Sequence, residues 1–397
     1  MSCRGFLQKF LTFLLLSPLV PAAGQDLSPS LLPNIQAIDA LGQDLFVQSG
    51  STGMVLVVVR GGQVIFHGYG ETAPGSHQVP TEDSVVRLCS LTKLFTTDVL
   101  TKLVADKTVR LNEPLQLLAP PHKVVPERGR PITLLNLATH TSGLPREVGA
   151  APPRSAHFTF PDYRTRWLWL RHQNLQSTPG TAALYSNVAY DFLSDALQSA
   201  AHKQYAALLA ERTLNPLGMH RTTFFPSAEQ CKELLVGARD ERACSVTEAT
   251  AGSSGLYSTA GDMTIWLKYL LGAGEREQDP AAQAIYIDPS SLIRQRGLDH
   301  AGEPTGIGLG WIHILPIDSP SHMIEKTGGG AGFETYIVIN HARRTALFLA
   351  ATDGPVDTHL NLFNAANKLL LAVAGLPPLP PPPPRPAAKN RRRTRRR

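Results

Sequence analysis

The chain has little of several features that define common protein classes. Charged residues make up 18% and aromatic residues 7% of the composition, while hydrophobic residues make up 43%. That balance is typical of a globular protein and excludes a disordered one. There is no HExxH motif and no cluster of Cys and His at metal-ligand spacing, so we expect neither a metal site nor another cofactor. No apolar run reaches the roughly 20 residues that a membrane-spanning helix needs.

The first residues nevertheless contain a shorter apolar run. Arg4 and Lys9 precede apolar residues 10–20, and small residues follow at 21–24. This arrangement predicts a secretory signal peptide over residues 1–24, and hence export to the periplasm. The alternative is a membrane anchor, against which the length of the run argues.

Positive charge is concentrated at the other end. Residues 381–397 contain eight Lys and Arg and no acid, although the whole chain has a net charge of only +6. The rest of the chain is therefore mildly acidic, and we expect no nucleic-acid partner. Residues 376–397, proline-rich and then arginine-rich, predict a disordered tail that contacts anionic inner-membrane lipid or wall polymer peripherally. The alternative is an inert solvated tail.

Cysteine is scarce, with four residues, and Cys3 belongs to the predicted signal peptide. Cys231 and Cys244 are close in sequence within a loop-like stretch, and export makes a disulfide between them chemically accessible. The alternative is a pair that never meets. Cys89 follows an apolar segment, which indicates a buried free thiol. A catalytic role for Cys89 is the rival interpretation, but the motif offers no His partner.

Strand patterns lie near both ends of the chain, with helical patterns between them. Residues 53–60 and 63–70 are β-branched runs joined by Gly61-Gly62, which predicts a hairpin. Further strands are predicted at 309–315, 323–327, 333–340 and 345–351. Helices are predicted at 32–47 and 359–374 and through most of 91–271. The fold class is therefore α+β: one antiparallel sheet flanked by helices, with an inserted helical region and the active site in the cleft between them. Residues 25–375 form the predicted catalytic domain.

The first chemical motif is Ser90-Leu91-Thr92-Lys93, which we expect to open a helix. Ser90 and Lys93 are then one turn apart on the same face, so the amine can reach the hydroxyl. A partly desolvated lysine can act as the base that activates a serine nucleophile. Taken alone, the SxxK spacing arises often by chance.

The second motif is Tyr185-Ser186-Asn187, after Pro179-Gly180. In an extended loop Tyr185 and Asn187 face the same side, so both can enter a cleft. A phenol can relay protons and an amide can hold a substrate carbonyl. The alternative is an ordinary helix start.

The third motif, Lys326-Thr327-Gly328-Gly329, ends a predicted strand. Its cation and hydroxyl suit a substrate carboxylate, and its glycines let a substrate backbone approach the strand edge. The alternative is a glycine-rich turn.

Together and in this order, SxxK, YxN and KTG resemble the penicillin-recognising serine enzymes, which include class C β-lactamases and D-alanyl-D-alanine peptidases. The segments at 132–145, 179–187 and 255–263 are similar to connecting segments of this family, and the resemblance covers about residues 30 to 375. Within it, VVRLCSLTKL, LATHTSGLPRE and KTGGGAGF are most similar to AmpH-type D-alanyl-D-alanine carboxypeptidase/endopeptidases. Those enzymes trim and recycle peptidoglycan through a serine acyl-enzyme and have weak β-lactamase activity.

The resemblance implies a β-lactamase/DD-peptidase-like fold and a role for each motif residue. Catalytic residues would be Ser90 as nucleophile, Lys93 as its base and Tyr185 as proton shuttle. Asn187 would bind the peptide amide, and Lys326 and Thr327 would hold the terminal carboxylate or tune Tyr185. Gly328 would belong to the same substrate-binding strand. Backbone N–H groups of Ser90 and Gly329 would form the oxyanion hole. Ligands would be muropeptides and β-lactams. In contrast, the resemblance implies that the HTSG stretch with His140 is structural.

Other functions stay open on the sequence alone. A class C-like β-lactamase would share all three motifs, but Glu147 replaces a glutamine usual in that class and argues against a dedicated one. An esterase of the same fold would have no carboxylate for Lys326 to hold. A non-catalytic wall binder would have no use for Ser90, Lys93 and Tyr185 together.

Overall fold

The structure is a computed structural model that describes residues 35–239, 243–298, 301–355 and 361–379. The predicted signal peptide and nearly all of the predicted tail lie outside the described residues. Leu376, the first residue of the predicted tail, is buried against the core. Among the described residues, no helix combines the length and apolar character needed to cross a membrane.

Strands near both ends of the described chain flank a middle part that contains most of the helices. The strands are β1 (Gly53–Arg60), β2 (Gln63–Gly70), β3 (Val85–Arg87), β4 (Ala182–Leu184), β5 (Tyr257–Thr259), β6 (Arg294–Arg296), β7 (Pro304–Ile307), β8 (Ile312–Ile314), β9 (Met323–Gly330), β10 (Phe333–Asn340) and β11 (Thr345–Thr352). The α-helices are α1 (Ile35–Ser49), α2 (Thr92–Ala105), α3 (Leu115–Leu118), α4 (Leu134–Ala138), α5 (Tyr163–Leu170), α6 (Asn187–Ala201), α7 (Tyr205–Leu209), α8 (Asn215–Leu217), α9 (Ala228–Lys232), α10 (Ala260–Leu270) and α11 (Leu362–Ala374). Single turns of 3₁₀ helix span Cys89–Leu91, Glu248–Thr250, Pro280–Gln283, Pro289–Ser291 and His341–Arg343, and a π-helical turn spans Ala210–Leu214.

A seven-stranded antiparallel sheet in the order β2-β1-β11-β10-β9-β8-β7 unites the two ends of the chain. Gly61 and Gly62 both have positive φ and form the turn between β1 and β2, as the sequence predicts. β1 then pairs with β11, almost three hundred residues later. The predicted fold class, with strands from both ends around a helical insertion, is confirmed.

β1 is buried on both faces, which explains its uninterrupted apolar sequence. Val55, Val57 and Val59 point into the core shared with the helical region. The alternate residues Met54 and Leu56 point into a second core under α1 and α11. Because successive strand side chains face opposite sides, an apolar run without alternation indicates a strand covered on both faces.

The structure differs from the predicted secondary structure at one strand and adds two small sheets that were not predicted. The single strand predicted at 309–315 is only β8, and β7 precedes it unpredicted. Gly310 has a φ of 81°, and the Gly308 N–H donates to the Trp311 carbonyl, so these residues form the turn between the two strands. The inserted region also contains two small sheets, β3 with β5 and β4 with β6. Their three-residue strands are too short to leave a pattern in the sequence.

Candidate active site

Ser90 lies in a tight turn between β3 and α2. The turn is the 3₁₀ segment Cys89–Leu91, so Ser90 precedes the α-helix by two residues and does not open it as predicted. Cys89 has a φ of 51°, unusual for a residue with a side chain. Its thiol donates to the Gly330 carbonyl at 3.3 Å, which fixes the turn to the end of β9. Ser90 is 8% exposed.

Lys93 lies in the first turn of α2 and is fully buried. Its Nζ donates to Ser90 Oγ at 3.1 Å, to Asn187 Oδ1 at 2.7 Å and to the Ser253 carbonyl at 2.9 Å. Burial lowers the pKa of Lys93 well below its ordinary value, and the nearby Lys326 lowers it further. A lysine with a lowered pKa is a competent base for a serine hydroxyl.

Tyr185, Ser186 and Asn187 form the junction between β4 and α6. Ser186 caps the helix, since its hydroxyl accepts the Ala189 N–H at 3.1 Å. The Tyr185 hydroxyl donates to Ser90 Oγ at 2.7 Å, and Asn187 reaches Lys93 from the first residue of α6. The segment is thus a helix start, and its outer two side chains enter the site. The motif is therefore both a helix start and a source of side chains for the site.

β9 forms the opposite side of the site. The Lys326 Nζ lies 5.0 Å from the centre of the Tyr185 ring. A β-carbon on Gly328 would lie 2.2 Å from Thr335 Oγ1 and 3.1 Å from the Ser90 backbone nitrogen. Only glycine therefore lets β9 come this close to the serine turn. The ladder between β8 and β9 ends at Glu325, so beyond it β9 has no strand on that side within the described residues.

The structure brings together side chains from all three predicted motifs, while the roles assigned to them remain predictions. Ser90, Lys93, Tyr185 and Asn187 are joined by hydrogen bonds. Gly329 continues β9 from Gly328, on the strand adjacent to the serine turn.

His140 is buried and packs flat on Tyr185, with ring centres 4.3 Å apart. Its Nδ1 accepts the Ser186 N–H at 3.1 Å. Burial lowers the pKa of His140 well below its ordinary value, and Lys326 and Lys93 lower it further. A neutral ring at this position supports the tyrosine, in keeping with the structural role that the resemblance implied.

Three charged residues near the site carry no assigned role from the sequence. The Arg146 guanidinium carbon lies 4.7 Å from the centre of the Tyr185 ring, and the Glu147 carboxylate accepts from Asn187 Nδ2 at 2.5 Å. Asp191 is 1% exposed on α6. A signal for Asp191 was present, because an acid four residues after Asn187 interrupts the apolar face of a helix.

The cysteines fall into two classes. Cys231 and Cys244 form a disulfide with Cα atoms 5.8 Å apart, and Cys89 is a buried thiol outside this disulfide. Within the described part of the chain, no group of three or more His, Cys, Asp or Glu is placed to hold a metal ion.

Comparisons with known proteins show which sequences and solved structures this chain is similar to. The β-lactamase family profile matches residues 34–370. The D-alanyl-D-alanine-carboxypeptidase/endopeptidase AmpH of Escherichia coli K12 is 40% identical over 346 residues, covering 86% of this chain and 90% of that protein. A β-lactamase/D-alanine carboxypeptidase from Yersinia pestis, solved with citrate, superposes with a TM-score of 0.81 at 38% identity, covering 86% of this chain and 99% of that one. A class C β-lactamase from Rhodobacter sphaeroides shares the fold, with a TM-score of 0.64 at 20% identity, covering 85% of this chain and 98% of that one. The predicted β-lactamase/DD-peptidase fold is confirmed.

Proposed function

Because this chain belongs to the β-lactamase family, we propose that it is a peptidoglycan-remodelling D-alanyl-D-alanine carboxypeptidase/endopeptidase with weak β-lactamase activity. One observation carries the proposal: Ser90 Oγ lies within hydrogen-bond distance of both the Lys93 amine and the Tyr185 phenol. A hydroxyl that lies between two groups able to carry its proton, and beside a strand edge that can bind a substrate backbone, is suited to acyl transfer. The similarity to AmpH over most of both chains supports the substrate class.

Acylation follows from this geometry. Ser90 Oγ attacks the carbonyl carbon of the penultimate D-alanine, and its proton passes to the neutral Lys93 amine. Backbone N–H groups of Ser90 and Gly329 would stabilise the oxyanion, and losing one such donor typically costs about 3 kcal/mol of barrier. As the C–N bond breaks, the Tyr185 hydroxyl gives its proton to the leaving amine and receives the one held by Lys93.

Deacylation reverses the roles of the same groups. As a water molecule attacks the ester carbonyl, Tyr185 takes a proton from the water and passes its own proton to Lys93. Lys93 then gives that proton to the Ser90 oxygen as the bond between this oxygen and the acyl carbon breaks. An incoming amine in place of water would reform a peptide bond, so the site must admit water once the D-alanine has left.

The strand side would hold the substrate. Lys326 and Thr327 suit the terminal carboxylate, and Gly328 keeps β9 close to Ser90. Asn187 Nδ2 carries two hydrogens, and it donates one of them in a hydrogen bond to the Glu147 carboxylate. The second can donate to the carbonyl of the bound peptide.

The experiment is a side-by-side assay of purified protein. Defined pentapeptide and cross-linked muropeptides are incubated with it in one set and a cephalosporin in another. We expect release of D-alanine and cleavage of D-alanyl cross-links, with much slower β-lactam turnover. Rapid cephalosporin hydrolysis without muropeptide cleavage would instead establish the second candidate, a class C-like β-lactamase, which the shared fold favours. Cleavage of simple esters alone would indicate an esterase.

We further propose that the protein is exported to the periplasm and that its basic tail binds anionic surfaces. Support comes from the signal-like pattern of residues 1–24 and from the eight cations of residues 381–397. Each cation near an anionic lipid surface contributes about 1 kcal/mol. Truncation after Leu379, which keeps the buried Leu376 and removes all eight cations, should leave turnover of soluble muropeptides unchanged and weaken salt-sensitive retention on anionic vesicles or sacculi. Equal retention of both forms at low salt would show that the tail anchors nothing.

A further inference from the structure

Two of the three acceptors around the Lys93 amine connect it to a carboxylate. The first connection runs through Asn187, whose Oδ1 accepts from Lys93 at 2.7 Å while its Nδ2 donates to Glu147 at 2.5 Å. A carboxylate can only accept, so Glu147 requires the Nδ2 end of the amide to face it. The Oδ1 end is thereby directed at Lys93. Glu147 is 47% exposed, at the outer end of this connection.

The second connection runs inward through Ser253. Its carbonyl accepts from Lys93 at 2.9 Å, and its side chain hydrogen-bonds Asp191. The segment is held tightly against α6 and α2. A β-carbon on Gly252 would lie 2.0 Å from the Tyr190 carbonyl oxygen, and the Thr96 hydroxyl donates to the Gly252 carbonyl at 2.8 Å. Ser253 therefore has little freedom to move away from either Lys93 or Asp191.

Asp191 differs from the next acid along the same helix. Asp195 receives two hydrogen bonds from Arg166 and one from Trp167, so its charge is directly neutralised. Asp191 is as deeply buried, but its Oδ1 has no hydrogen-bond partner among the described residues. The remaining Arg166 donor, Nη1, is directed at the carbonyls of Pro161 and Ala249. A buried acid left incompletely satisfied calls for a functional reason.

We propose that Asp191 is the principal counter-charge of Lys93 and a positioning residue for its proton, with Glu147 as a weaker second one. Asp191 acts from the buried side through Ser253, and Glu147 acts from the site mouth through Asn187. When Ser90 transfers its proton to the Lys93 amine, the new ammonium charge is balanced by the Asp191 carboxylate. This inference rests on the proposed function in one respect: the proton transfer from Ser90 to Lys93 is a catalytic step only if the protein forms a serine acyl-enzyme.

The charges around Lys93 support this assignment. Lys326 on β9 and Arg146 at the mouth lower its pKa, after burial itself, whereas Asp191 and Glu147 raise it. Burial raises the pKa of Asp191 to about 7, while Arg166, the Ser253 hydrogen bond and Lys93 oppose that rise and Asp195 adds to it. His140 is held neutral and adds no charge. Arg166 acts on Asp191 only through its charge, because its hydrogen bonds among the described residues go to Asp195 and to the carbonyls of Pro161 and Ala249.

The sign of the effect is specific. A carboxylate stabilises the ammonium form of Lys93, so removing it lowers the lysine pKa and keeps the amine neutral at lower pH. Asp191 is ionised only at and above about pH 7. In Asp191→Asn we therefore expect acylation by a fluorescent penicillin to be about tenfold faster over the part of the acidic limb in that pH range, relative to the alkaline plateau. Glu147→Gln should move the limb in the same direction by less than about twofold, because its charge is half exposed to solvent. Asp191→Glu, which keeps the charge, should retain the wild-type limb.

A direct titration makes the test independent of turnover. Protein with ¹³Cε-labelled lysine is titrated by NMR, and the Lys93 signal is assigned by its loss in Lys93→Gln. We expect the Lys93 midpoint to fall in Asp191→Asn, and an unchanged or raised midpoint would overturn the inference. If Asp191→Asn does not fold, Ser253→Ala is titrated in its place. This variant removes only the hydroxyl that stabilises the Asp191 carboxylate, so the Lys93 midpoint should again fall. An unchanged Lys93 midpoint in Ser253→Ala would overturn the inference. If the wild-type protein is not labelled by the fluorescent penicillin and does not cleave muropeptides, the proposed function is refuted. The titration of Lys93 would still test whether Asp191 is its counter-charge.

Discussion

Ser90 lies between two walls that are built in different ways. The helical wall consists of the 3₁₀ turn, the start of α2 and the start of α6, and it reaches Ser90 with side chains. Lys93 and Tyr185 both lie within hydrogen-bond distance of Ser90 Oγ. The strand wall is the end of β9, and it reaches the serine turn with backbone at Gly328.

Burial also separates the two walls. Lys93 on the helical wall is completely buried, and its pKa is lowered by burial first. On the strand wall Lys326 is buried, but Gly329 and Gly330 are exposed at the end of β9. Desolvation tunes proton transfer, whereas an exposed strand end admits a ligand backbone. We therefore expect the helical wall to control the chemical step and the strand wall to control substrate binding.

The largest expected effect is on the helical wall. Ser90→Ala removes the nucleophile, so covalent penicillin labelling should disappear and muropeptide cleavage should fall by at least about 10³-fold. The melting temperature should stay near that of the wild type, because the hydroxyl makes little contribution to packing. Label still bound to the alanine variant would contradict the assignment of Ser90.

On the strand wall, Lys326→Ala should act mainly through KM. Losing a charge-assisted contact to the substrate carboxylate costs about 1.5–3 kcal/mol, or roughly 10- to 150-fold in kcat/KM. The variant should discriminate less between a muropeptide with a free terminal carboxylate and its amidated analogue. Because Lys326 also lowers the pKa of Lys93, its loss should move the acidic limb to higher pH, so rates must be compared on the plateau. A pure kcat defect with unchanged discrimination would place Lys326 with the helical wall.

Gly328 and Gly329 offer a matched pair for the close approach of the two walls. Gly328→Ala forces a β-carbon against Thr335 and the Ser90 nitrogen, so we expect about 1–3 kcal/mol of destabilisation and roughly tenfold lower kcat/KM. At Gly329 the nearest atom to a β-carbon is the Phe333 carbonyl oxygen at 3.8 Å, so that alanine should be stable. Denaturant unfolding of both variants checks this. Equal stability of the two would show that the strand wall adjusts easily.

The smallest expected effect on activity comes from outside both walls. Replacing Cys231 and Cys244 with serine removes the disulfide, which should lower the free energy of unfolding by about 3 kcal/mol and leave kcat/KM unchanged. Thiol titration of denatured, unreduced mature protein should detect one thiol, from Cys89. Three thiols would show that the bridge does not form.

The sequence by itself determined the local parts of this site. The Ser90–Lys93 spacing predicts a contact because residues three apart face the same side of a helical turn. The hairpin at Gly61-Gly62 follows from the positive φ that those positions need. Each of these predictions depends on neighbours in the chain, whose distances the backbone geometry restricts.

Only the tertiary structure decided the long-range parts. That Lys93 has a second and third acceptor at Asn187 and Ser253, 94 and 160 residues away, could not be read from any local pattern. The difference between Asp191 and Asp195 could not be read from the sequence either. Both acids lie on α6, but Arg166 from α5 donates hydrogen bonds only to Asp195. Charge balance in a buried site depends on which groups folding brings together and on how much water it removes, and both are properties of the packed chain.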